Sequence, residues 1–151
     1  MSIHERIKKF KEFLSKYGVE VPSQPAHVAS FLINSVDSLI AALGDKGFDR
    51  HRAAVGLGEI KDPKAVEPLI LALNDEDDNL GYLRECSARS LGIIKDSRAI
   101  APLIAALEVG TSGAAQWALG QITGQELGYD SKKWHEWYER IKCSGVHGGQ
   151  A

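Results

Sequence analysis

Apolar residues recur along this chain at helical spacing, and polar residues fill the gaps between them. From Asp49 to Ile60 the apolar positions are Ala53, Ala54, Leu57 and Ile60, which share one helical face and are small enough for close packing. A second stripe follows at Ala65, Val66, Leu69, Ile70 and Leu73. Asp62 stands where a helix cap is needed and Pro63 at a first helical position. Pro68 and Pro102 recur inside the second stripes, each removing a backbone donor, and are expected to mark built-in bends. Upstream, Ser2–Tyr17 has a Ser2-x-x-Glu5 capping box and an apolar face of Ile3, Ile7, Phe10, Phe13, Leu14 and Tyr17. Downstream, Trp134, Trp137, Tyr138 and Ile141 give one broad aromatic face. No alternating, strand-like pattern of any length occurs, so the fold class is all-α.

Sliding the chain by 34 residues lays Ala54–Leu73 (AVGLGEIKDPKAVEPLILAL) on Ala88–Leu107 (ARSLGIIKDSRAIAPLIAAL), with twelve of twenty positions identical. Unrelated segments would match at about one position in twenty. Fainter copies flank this pair. Asp37–Asp45 (DSLIAALGD) matches Glu67–Asp75 (EPLILALND), and Trp117–Gly124 (WALGQITG) repeats the end of a first helix. Repeated helix pairs of this length predict a short right-handed α-solenoid with atypical ends. The expected organisation is one domain over residues 1–143. It comprises an N-terminal helical cap (1–35), repeats from about 36 to 124, a C-terminal cap helix (130–142), and a disordered tail (144–151). The last repeat lacks a second helix of its own, so the C-terminal helix is expected to cover Trp117, Leu119 and Ile122.

Composition narrows the function. The 151 residues carry 18 Lys+Arg against 20 Asp+Glu, with a net charge of −2 and a pI near 6.2. That balance argues against a general polyanion binder, so nucleic acid is not expected as a partner. Two cysteines, Cys86 and Cys143, make no disulfide framework. The start, MSIHERIKKFKEFL, has charges every few residues and no apolar h-region, and no run suits a membrane span. The expectation is a cytoplasmic protein without a membrane anchor.

The segments RAAVGLGEIKDPKAVEPLILAL and SARSLGIIKDSRAIAPLIAAL, with the closing WALGQITG, resemble the HEAT repeat. The resemblance is to the HEAT-like class often named after bilin lyases, and it covers about Val36 to Tyr138. It implies a solenoid of stacked helix pairs. It also implies a test of chemistry, because deoxyhypusine hydroxylase, a HEAT-like enzyme, holds two irons with His-Glu pairs at the starts of first helices. In that register this chain has His51-Arg52 and Glu85-Cys86. Arg52 puts a cation where iron needs an anion, so no metal, cofactor or catalytic residue is expected. A bilin-lyase-like or chaperone-like accessory subunit of an enzyme is the alternative that the resemblance leaves open.

Other candidate chemistry is weak. The acidic run Asp75, Glu76, Asp77, Asp78 lacks the ligand alternation and glycine turn of a calcium loop. Gly56 and Gly58 lie in a helical segment, where they cannot cradle phosphate. The Arg50, His51, Arg52 cluster at a helix start could meet a partner's carboxylates. The second helices of a solenoid line an extended concave surface. Off their apolar faces lie Asp37 and Ala41, then Lys64, Glu67 and Leu71, then Arg98, Ala101 and Ala105. This strip is charged at one edge and apolar along its middle, which suits a docked helix or peptide. The expected function is a non-catalytic protein-interaction scaffold or adaptor whose partner is another protein or peptide.

Overall fold

The computed structural model describes residues 8, 12, 36–45, 50–76, 81–109 and 112–145. The expected N-terminal cap, apart from two isolated positions, and the end of the expected tail lie outside the described residues. Seven helices are described: α1 (36–44), α2 (Arg50–Ile60), α3 (Val66–Leu73), α4 (Tyr82–Ile94), α5 (Ile100–Ala106), α6 (Ser112–Thr123) and α7 (Ser131–Cys143). No strand occurs among the described residues. The helices form an all-α solenoid in which α1, α3 and α5 are the second helices of successive repeats and α2, α4 and α6 the first helices.

First helices stack directly, α2 on α4 and α4 on α6, while α3 rests on α4 and α5 on α6, each on the first helix of the next repeat. Small residues make the stacking close. A Cβ added at Gly58 would lie 2.9 Å from the Ser90 Cα, and one added at Gly92 would lie 2.7 Å from the Ala118 Cα. Between α2 and α4 the Ser90 hydroxyl also donates a 2.7 Å hydrogen bond to the Ala54 carbonyl. Leu57, Leu69, Leu73, Leu91, Leu103, Ile104 and Leu119 fill the continuous core, all essentially buried.

The two matched repeats turn between their helices in the same way. Lys61 and Lys95 adopt left-handed φ angles of 58° and 61° at the ends of α2 and α4. Asp62 and Asp96 then accept hydrogen bonds from the backbone amides of Lys64 and Arg98, both at 2.9 Å. A short 3₁₀ turn follows each cap, Pro63–Ala65 and Ser97–Ala99. The structure here corrects the reading of the prolines as mid-helix bends. The break between 3₁₀ and α geometry comes before Val66 and Ile100, so Pro68 and Pro102 fall in the first α-helical turn, where a missing N–H costs little.

At the C-terminal end Asp130 caps α7, accepting from the Lys132 and Lys133 amides. Trp134 is fully buried against the core. Its indole N–H donates to the Gly128 carbonyl at 2.8 Å, and Trp137 meets it edge-on at 5.8 Å. α7 packs on α5, as a substitute for the missing second helix would. Leu119 and Ile122 are buried, but Trp117 is 41% exposed and lies over Gly92 on the first-helix side. Trp117 is therefore outside the cap, because α7 replaces a second helix and leaves the first-helix face open.

Candidate functional site

The second helices leave a row of exposed side chains once their inner faces are packed. Asp37 and Ala41 on α1, Lys64, Glu67 and Leu71 along the turn into α3 and α3 itself, and Arg98, Ala101 and Ala105 along the turn into α5 and α5 itself are all exposed. Ala72, absent from the stripe read in the sequence, is buried beside Leu73 because α3 turns more of its surface inward than that stripe implied. Leu71 is 75% exposed, the most exposed large apolar side chain among the described residues. It stands between Ala41 and Ala105 in the repeat register.

One edge of this row is tied across repeats. The Arg98 guanidinium forks onto Asp96 at 2.8 and 3.0 Å, and reaches the Glu67 carboxylate at 3.4 Å and the Pro63 carbonyl at 3.3 Å. Hydrogen bonding to Arg98 holds the Asp96 carboxyl below its ordinary value, and the same contact raises the Arg98 guanidinium. Glu67 and Arg98 thus face each other across two repeats, with both side chains about half accessible to solvent.

The three residues of the basic cluster part company. His51 and Arg52 are exposed on α2. Arg50 turns inward: its Nε donates to the Leu43 carbonyl at 2.7 Å, and its guanidinium pairs with Asp75. Both partners of that ion pair are largely covered, at 18% and 15% side-chain exposure. Arg50 is a strut that joins the C-terminal ends of α1 and α3, which is a different task from presenting charge to a partner.

Above this strut lies a groove of about 280 Å³. Ile40, Leu43 and Gly44 of α1 form one wall, Pro68, Leu71 and Ala72 of α3 the other, and Arg50 and Asp75 close its polar end. Of the residues singled out in the sequence, the groove brings together Leu71 and Arg50; the others lie along the same face or away from it. Ile40, Leu43, Gly44, Pro68, Ala72 and Asp75 were not singled out as site residues. The match of Asp45 with Asp75 between the upstream flanking copy and the first repeat of the pair was the available signal, but pairing Arg50 with Asp75 needs the fold.

Cys86 is half-buried in α4 and Cys143 exposed at the end of α7. Among the described residues no group of three or more His, Cys, Asp and Glu side chains could hold a metal ion, and no helix is long and apolar enough to cross a membrane.

A family profile for HEAT repeats matches residues 36–121, more than half of the chain. The chain belongs to the HEAT-repeat family. The match runs from the start of α1 into α6, so the exposed row, the strut and the groove all lie within the HEAT repeats. No curated protein matches the chain. HEAT repeats are commonly interaction scaffolds, and that much of the functional reading rests on the family as well as on the exposed face.

Proposed function

We propose that this HEAT-repeat protein is a non-catalytic scaffold or adaptor that holds a partner protein or peptide on the concave face lined by the exposed side chains of its second helices. The observation that carries the reading is Leu71. A leucine with three-quarters of its surface in water contributes nothing to stacking, yet it sits at the centre of the exposed row between two alanines. Leu71 also lines the groove between α1 and α3, whose walls are mainly apolar, and a groove of that kind suits a partner's apolar side chain. Residue chemistry argues against a di-iron site of the deoxyhypusine hydroxylase type, since Arg52 and Cys86 stand where that enzyme places carboxylates.

The test is a capture from native lysate with the intact chain and with Leu71→Asp, after circular dichroism and melting show both to be folded. A partner retained by the wild type and lost with Leu71→Asp supports the reading. If both proteins retain the same polypeptides, the second-helix face is not the binding surface.

A further inference from the structure

We draw no further inference here: the strongest candidate, the groove between α1 and α3 that Leu71 borders, carries nothing, because its one lining carboxylate, Asp75, is paired with Arg50 and nothing in the structure shows what covers its apolar walls.

Discussion

Replacing Gly92 with alanine should destabilise this protein, although alanine is the better helix former. A Gly→Ala exchange inside a helix gains about 1 kcal/mol of propensity. Against that gain, the new Cβ would lie 2.7 Å from the Ala118 Cα, 2.8 Å from Cζ3 of Trp117 and 2.9 Å from the Ala118 Cβ. The half-exposed Trp117 ring could swing aside, but Ala118 offers its backbone, which no rotamer change moves. Restoring ordinary carbon–carbon contact at about 3.5–4 Å requires α4 and α6 to separate by roughly 1 Å. Overpacking of this kind costs about 1–3 kcal/mol, and a backbone contact belongs at the upper end. The net expectation is about 2 kcal/mol of destabilisation, or a fall of about 4–8 °C in Tm for a chain of this size. Gly120 provides the internal control. It occupies the same register in α6, but its added Cβ would meet only the Gln125 carbonyl oxygen, at an ordinary 3.6 Å. Gly120→Ala should therefore keep the propensity gain and melt slightly above the wild type. Thermal melts followed by circular dichroism decide the matter: a Gly92→Ala protein that melts with or above the wild type would refute the reasoning.

Three further outcomes are expected. Deleting residues from Asp130 onward, or the single change Trp134→Ala, removes a fully buried indole and should cost about 3–5 kcal/mol; a truncated protein that melts within a degree or two of the full chain would make α7 an appendage. Arg50→Ala strips the bond to the Leu43 carbonyl and the cation facing the covered Asp75, and urea unfolding should show a loss of about 1–3 kcal/mol, whereas the same change at the exposed Arg52 should show little. Because Arg98 lowers the Asp96 carboxyl below 3.8 in the folded protein, that contribution to stability is present above the unfolded value and is lost as pH falls through the folded one. Melting curves between about pH 5 and pH 3 should therefore fall less steeply for Asp96→Asn, which keeps the helix cap, than for the wild type.

The parts of this fold that were legible in the sequence are those whose physics is local or periodic. Twelve identical positions at one spacing identify residues that stack, among them Leu57 and Leu91 and Gly58 and Gly92, and residues that cap, Asp62 and Asp96. The caps were readable because an aspartate caps the turn two residues later, within one short segment. Pro68 was placed in the right element but given the wrong consequence, since periodicity does not distinguish a 3₁₀ start from a continuous α-helix. Trp117 was read as covered because sequence order does not say which face a substitute helix will take. Arg50 was the least legible: its partners lie seven residues behind and twenty-five ahead, and only the stacking of α1 and α3 brings them together. The groove inherits that difficulty. Its walls come from two repeats, and its distinguishing residues, Leu71 and Asp75, are departures from the repeat that the self-match passes over.

Those departures explain how one solenoid can be both rigid and specific. Stacking draws on the first helices and the inward faces of the second, where the close approach of Ser90 requires glycine at 58 and that of Ala118 requires glycine at 92. The pattern stops at Gly120, over which the chain passes as a connection from Gly124 to Asp130 in place of another first helix. Nothing in that lattice of contacts touches Leu71 or Glu76, both of which are exposed. Exchanging exposed side chains away from caps and ion pairs changes stability by about half a kcal/mol or less. Leu71→Asp should accordingly leave the melt unchanged while altering what the face recognises. The stacking residues hold the shape of the repeat, and the residues that break the repeat pattern are left to choose the partner.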